Sequence, residues 1–286
     1  MTGPFGDRLA AAMDAHGPLC VGIDPHPGLL AAWGLPDDVH GLRDFTRTVL
    51  DAVGGRVAAL KPQSALFERH GAAGVAVLEE VVAAGRASGT LVIVDAKRGD
   101  IGSTMAAYAD AYLRDGSPLA GDALTVSPFL GFGSLAPAVE AALATGRGLF
   151  VLALTSNPEG ASVQHAVDTQ GVAVAARIAR EAQAVNEREL AATGGRLGSV
   201  GLVVGATTRD SAHRLGVDLA AVQGPLLAPG VGAQGAGAAE LDAVFGGARR
   251  AVLASSSRGV LAAGPDPDAL RSAALRASAD AASALR

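Results

Sequence analysis

Apolar residues in this chain fall into short, nearly continuous runs, each followed by a longer stretch with helical spacing. The runs are LCVGID (19–24), VAALK (57–61), LVIVDAK (91–97), DALTV (122–126), GLFVLAL (148–154), SVGLVVG (199–205), PLLAPG (225–230) and RAVLASS (250–256). Runs this rich in Val, Leu, Ile and Ala, with little polar alternation, are the pattern of parallel strands covered by helices. Stretches between them, such as HGLRDFTRTVLDAV, AGVAVLEEVVAAGRA and TMAAYADAYL, have the length and composition of helices with one buried face. Eight βα units in 286 residues predict a (β/α)8 TIM barrel, both in count and in length. A doubly wound open sheet is the competing arrangement, but no G-x-G-x-x-G follows the first run, which removes its best signal. No linker or shift of composition divides the chain, so residues 1–286 read as one barrel domain ending in an amphipathic helix over 266–286.

Composition narrows the function classes. Hydrophobic residues make up 49% of the chain and aromatic ones only 3%, so a sizeable core is built from small aliphatic side chains. A net charge of −5 without any run of Lys and Arg argues against a nucleic-acid surface. An anionic small molecule stays open, because a phosphate site needs only a few local donors. Cys20 is the only cysteine, so it forms no intrachain disulfide, and in the run LCVGI it reads as a buried structural thiol. The first residues carry acids rather than a continuous apolar core, and no uncharged stretch approaches the ~20 residues that cross a bilayer. The expectation is a soluble, cytoplasmic protein with no membrane partner.

A barrel places its site at the C-terminal ends of its strands, and polar residues collect there. Strand 1 ends in Asp24, strand 2 in Lys61, strand 3 in Asp95 and Lys97, and strand 5 in Thr155 and Ser156. The glycine loop Pro229-Gly230-Val231-Gly232 ends strand 7, and Arg258 follows strand 8. Period-two alternation puts Ile93, Asp95 and Lys97 on one face, with Lys61 within reach from the neighbouring strand. An ion-pair network that merely closes the barrel is the plainer explanation, but buried charges are a costly way to stabilise a fold, and perturbed ionisable groups collect in active sites. The stretch APGVGAQGAG (228–237) offers backbone N–H groups and the Gln234 amide to an anion, and Arg258 adds a fork that fits phosphate. His16, His40, His70, His165 and His213 show no ligand spacing and read as surface residues, and His26, between two prolines, as a turn residue; no metal site is expected.

The stretch VDAKRGDIGST (94–104), with its D-x-K-x-x-D core, closely resembles the orotidine 5′-phosphate decarboxylase family. LCVGID, PGVGAQGAG and SSSRGV match the same family in the same order, so the resemblance spans the whole barrel, and the extended 156–198 segment is similar to its longer bacterial subgroup. The resemblance implies a charged tetrad of Lys61, Asp95, Lys97 and Asp100. It implies that Asp100 reaches into the site of a partner subunit, with Ile101 and Thr104 crossing beside it, and hence a homodimer with shared active sites. It further implies that Asp24 binds the ribose and Ser156 the pyrimidine edge, with adjacent Thr155 leaving that register open by one. Gly230, Gly232, Gln234 and Arg258 would hold the phosphate. The segment 156–171 is longer and more polar than in compact members.

The implied reaction is loss of CO2 from orotidine 5′-monophosphate to give UMP, without a cofactor. A Mg-dependent sugar-phosphate decarboxylase or aldolase on the same scaffold is the alternative. A Schiff-base aldolase using Lys61 or Lys97 and a non-catalytic nucleotide-binding barrel are further readings, although a binder needs no array of four charges.

Overall fold

In the computed structural model, which describes residues 3–208, 210–231 and 238–285, the apolar runs become strands that close on themselves in chain order. They are β1 (Leu19–Ile23), β2 (Ala59–Pro62), β3 (Leu91–Arg98), β4 (Ala123–Val126), β5 (Gly148–Leu154), β6 (Val200–Val204), β7 (Leu226–Pro229) and β8 (Val252–Ser256). All pair in parallel, and β8 closes onto β1 with Leu19 opposite Ala254 and Val21 opposite Ser256. The fold is the expected (β/α)8 barrel. Helices follow where the spacing predicts them, among them Val39–Val53, Gly71–Ala87, Gly102–Leu113 and Val174–Thr193. Asp38 caps the first of these by accepting from the N–H groups of His40 and Gly41. The closing helix runs from Pro267 to Ala284, capped by Asp266, which accepts from Ala269 N at 2.7 Å.

Alternation across the strands divides the apolar residues into two layers. Val21, Leu60, Val94, Leu124, Val151 and Val252 face the helices. Cys20, Ile93, Ala123, Phe150, Leu227 and Leu253 face inward and pack on one another. The first helix, Phe5–His16, plugs the N-terminal mouth of the barrel with Phe5 and Leu9. Phe5 meets Phe150 edge-on, with centroids 5.9 Å apart and planes at 89°. Position 148 must be glycine for this, because a Cβ there would stand 2.0 Å from the Phe5 ring. Burying one such aromatic side chain contributes roughly 1.5–3 kcal/mol. Arg8 fastens the same helix, donating to Asp122 at 2.5 Å and to the Gly146 carbonyl at 2.9 Å.

With that mouth filled by carbon, the inward rows end in polar groups at the opposite one. Ala59 leads to Lys61, Ile93 to Asp95, Ala123 to Thr125 and Leu253 to Ser255, and all four polar residues are buried. Two pairings break the regular pattern: β5 and β6 shift register between Leu152 and Leu154, and β3 pairs with β4 through Ile93–Ala123 and Val94–Leu124, then shifts before Arg98 meets Val126. It is this second shift that bears on the site. The shift spans the residues whose charges stood out in the sequence.

Candidate active site

A cavity of about 550 Å³ opens at the C-terminal pole, and its walls include Asp24, Lys61, Asp95, Lys97, Thr125, Thr155, Ser156, Gly230 and Arg258. A larger cavity, about 1080 Å³, lies at the other pole; there Arg8 is paired with Asp122 and Arg147 with Asp115, so its charges largely satisfy one another.

Asp95 is the centre of the site. Its Oδ2 accepts from Lys61 Nζ at 2.7 Å, and its Oδ1 accepts from Lys97 Nζ at 2.6 Å and from the Thr125 hydroxyl at 2.8 Å. Gln63, its amide nitrogen turned to the carboxylate, donates to Oδ2 at 3.1 Å and to the Asp95 carbonyl at 2.7 Å. Burial pushes the Asp95 carboxyl up, but the Lys61 and Lys97 ammonium groups outweigh it and hold the group down at about 2. For Lys61 the same contest runs in reverse. Burial lowers it, and Asp95 and Asp24 more than offset that, so it is held above the ordinary lysine value. Both groups therefore stay charged at neutral pH. The two lysines differ in access: the Lys61 side chain is 9% exposed and that of Lys97 43%. Lys61 is the buried counter-ion, and Lys97 is the ammonium presented to the cavity.

The backbone route to Lys97 differs from simple alternation. Lys97 has φ +48°, in the left-handed region that residues with a Cβ rarely occupy. Side-chain alternation along β3 thus holds through Asp95 and ends there. The left-handed turn, inside the register shift, is what carries Lys97 back to the same carboxylate. Its N–H is received by the Thr125 hydroxyl at 2.9 Å. Arg98 goes the other way, donating to Glu68 and to the Tyr112 hydroxyl and lying over the rings of Tyr108 and Tyr112. Of the alternating charges in this stretch, Asp95 and Lys97 line the cavity, and Arg98 ties the strand end to its helices.

Three of the four residues expected as a tetrad meet within one chain. Asp100 does not line the cavity; its carboxylate accepts from the following N–H, of Ile101, at 2.7 Å. Ile101 is 61% exposed and Thr104 is also exposed, both outside the cavity of their own chain. Gly99 brings this segment against the loop after β4: a Cβ on Gly99 would stand 2.3 Å from the Ser127 carbonyl, and Ser127 N donates to Arg98 O at 2.8 Å. That neighbouring loop carries Phe129 and Leu130, 74% and 55% exposed.

Elsewhere on the rim, Asp24 keeps a buried Oδ1 with no hydrogen-bond partner among the described residues. Thr155 is fully engaged. Its N–H donates to Gln164 Oε1 at 2.9 Å, and its hydroxyl receives Gln164 Nε2 at 2.7 Å and donates to Asn157 at 2.6 Å. The segment after β5 is thereby stapled to the strand end. Gly230, with φ +87°, and the exposed Arg258 line the far end of the cavity. Gly232 and Gln234 lie outside the described residues.

Residues 17–273 match the family described as orotidine 5′-phosphate decarboxylase / HUMPS. Orotidine 5′-phosphate decarboxylase of Salinispora arenicola is 60% identical over 98% of both chains. That of Streptomyces coelicolor is 60% identical over 96% of this chain and 95% of its own. The crystal structure of a Streptomyces avermitilis protein superposes with a TM-score of 0.93 at 59% identity, covering 99% of this chain and 96% of the other. The chain belongs to the orotidine 5′-phosphate decarboxylase family.

Within this member of the orotidine 5′-phosphate decarboxylase family, reading the strand ends for charge missed Thr125, Gln63 and Gln164. Alternation could have found Thr125, because it stands two residues past inward Ala123 at a strand's C-terminal end. Gln63 likewise stands two past Lys61. Gln164 carries no such signal, since it reaches Thr155 from a separate short helix, Ala161–Gln164. Cys20 is buried as expected, and burial pushes its thiol up to about 12, so it remains protonated. His70 and His165 are half-buried rather than on the surface, and none of the histidines lines the cavity. Among the described residues no group of three or more His, Cys, Asp or Glu is placed to hold a metal ion, and no helix is long and apolar enough to cross a membrane.

Proposed function

We propose that the protein is a cofactor-independent carboxy-lyase that converts orotidine 5′-monophosphate to UMP and CO2. Family membership supports this reading, and one observation carries it: a buried carboxylate, Asp95, held ionised beside Lys97, whose ammonium is offered to the cavity. Loss of CO2 breaks a carbon–carbon bond and leaves its electron pair on a ring carbon. The Lys97 ammonium balances that charge as it develops and then gives the carbon its proton. Two unit charges ~4 Å apart interact by roughly 4 kcal/mol at an effective dielectric of about 20. Enzymes commonly lower barriers by roughly 8–23 kcal/mol, so this contact is one part of the catalysis.

The larger part is preorganisation and remote binding. Each Asp95 oxygen already has two donors, so the array needs no rearrangement when the ring carbanion forms. The same saturation argues against the Mg-dependent sugar-phosphate reading, because Asp95 has no oxygen to spare for a cation. Asp24, with its unpartnered Oδ1, takes a ribose hydroxyl. Thr155 is committed to Gln164 and Asn157, whereas the Ser156 hydroxyl has no partner among the described residues, which favours Ser156 for the pyrimidine edge. Arg258 and the backbone at Gly230 take the phosphate, a group that does not react and whose binding energy can position the ring.

The enzyme works as a cytoplasmic homodimer in which Asp100, Ile101 and Thr104 complete the partner's site. Ile101 and Thr104 are exposed beside the apolar Phe129 and Leu130, and they and the half-buried Asp100 lie outside the cavity of their own chain, which supports this. An ultraviolet assay for consumption of orotidine 5′-monophosphate by purified protein, with EDTA present, tests the reading. Turnover that survives EDTA is expected, and no absorbance change would overturn it.

A further inference from the structure

Thr125 is 1% exposed, on a strand of four residues whose other inward residue is Ala123. Inside a barrel a valine would fill the same space without a polar atom to satisfy, and a buried hydroxyl is a cost unless it is bonded. Here the hydroxyl does two things at once. It donates to Asp95 Oδ1 at 2.8 Å and accepts from Lys97 N at 2.9 Å. A hydroxyl has one proton to give and lone pairs to receive, so both bonds can be made in full.

The second bond matters because of the backbone it meets. Between Val94 and Arg98 the pairing of β3 with β4 shifts register, and Lys97 sits there at φ +48°. A lysine in the left-handed region persists only when its surroundings hold it. Its N–H has left the regular ladder and would be orphaned without a replacement acceptor. The Thr125 side chain supplies that acceptor from the very strand whose ladder was interrupted. One oxygen thus ties the turn that aims Lys97 to the carboxylate that receives its ammonium, 2.6 Å away.

We infer that Thr125 is a positioning residue for the decarboxylation, its hydroxyl holding Lys97 in the left-handed turn and Asp95 in the matching orientation. The inference rests on the function proposed above. It separates Thr125 from the substrate-binding groups, because Asp24, Gly230 and Arg258 come from other strand ends.

The test compares Thr125→Val, which keeps the shape and removes the hydroxyl, with Thr125→Ser, which keeps the hydroxyl. Bonds to charged groups and orphaned buried donors have costs that translate into a fall in kcat of roughly 10- to 100-fold for Thr125→Val. KM and UMP affinity are expected to stay within about threefold, since the ribose and phosphate contacts are untouched. Thr125→Ser is expected to restore kcat to within about threefold of wild type. Wild-type kcat in folded Thr125→Val, equal losses in the two variants, or UMP affinity falling in step with kcat would each overturn the inference. If the valine variant does not fold, Thr125→Ala against Thr125→Ser makes the same comparison, as those two differ only by the hydroxyl. Wild-type protein is assayed alongside. Its failure to turn over substrate would overturn the proposed function, and this inference with it, whereas turnover unaffected by Thr125→Val would overturn this inference alone.

Discussion

Lys97 and Asp95 are separated by one residue in sequence, yet their side chains meet at 2.6 Å because Lys97 leaves the strand conformation with φ +48°. An extended strand would set the two side chains parallel, and the turn makes them converge. Asp95 keeps three other donors, from Lys61, Thr125 and Gln63, when the Lys97 ammonium is removed. Lys97→Ala is therefore expected to lose decarboxylation by at least ~10³-fold while its melting temperature stays within a few degrees of wild type. Steady-state kinetics and a thermal melt check this, and near-normal turnover would remove Lys97 from the chemistry.

The opposite balance is expected at Lys61. Its side chain is buried, and taking it away leaves the Asp95 carboxylate with one ammonium instead of two in a water-poor site. Removing one partner of a buried pair typically destabilises by roughly 3–5 kcal/mol. Lys61→Met is expected to show a loss of that order in denaturant unfolding, and the double variant Lys61→Met/Asp95→Asn to recover part of it. A stability loss no larger than that of Lys97→Ala would contradict the assignment of Lys61 as the structural counter-ion.

Acid stability follows from the same carboxylate. The Asp95 carboxyl titrates at about 2 in the folded chain, below its ordinary 3.8. A lowered value means the stabilisation is fully present above the unfolded value and is lost as pH falls through the folded one. The window is thus from about pH 4 down to about pH 2, and the contribution is on the order of 2 kcal/mol. Unfolding free energies of wild type and Asp95→Asn are expected to differ by a constant amount above pH 5 and to converge below pH 4. A gap that stays constant to pH 2 would show that Asp95 is not held ionised as described.

The proposed sharing of sites between subunits has its own signature. Lys97→Ala and Asp100→Ala homodimers are each expected to be inactive. After mixing and subunit exchange, half of the dimers are hybrids in which one site regains both residues, so about a quarter of wild-type activity returns. Recovery near zero, with exchange confirmed by mass, would place Asp100 in the site of its own chain, and an active Asp100→Ala homodimer would place it in none.

Periodicity in the sequence carried the barrel. Runs such as LVIVD and GLFVLAL bury both faces, and that is a local property of the side chains. The cluster of Asp24, Lys61 and Asp95 at one pole was legible for the same reason, since strand ends in a barrel share one mouth. Lys97 was correctly placed beside Asp95, though alternation alone described the wrong backbone for it.

What the chain by itself determined is the kind of fold and the polar residues at the open mouth, because burial periodicity and strand direction are written residue by residue. The tertiary structure decided which charges converge. It turned Lys97 inward and Arg98 outward, left Asp100 outside its own cavity, and brought in Thr125 and Gln63 as donors to one carboxylate. Those outcomes depend on the register between β3 and β4 and on what each side chain meets across the barrel. The bonds of Asp95 to Lys61 and Thr125 join residues about thirty positions apart, and local periodicity gives the face each side chain takes but not the partner it meets.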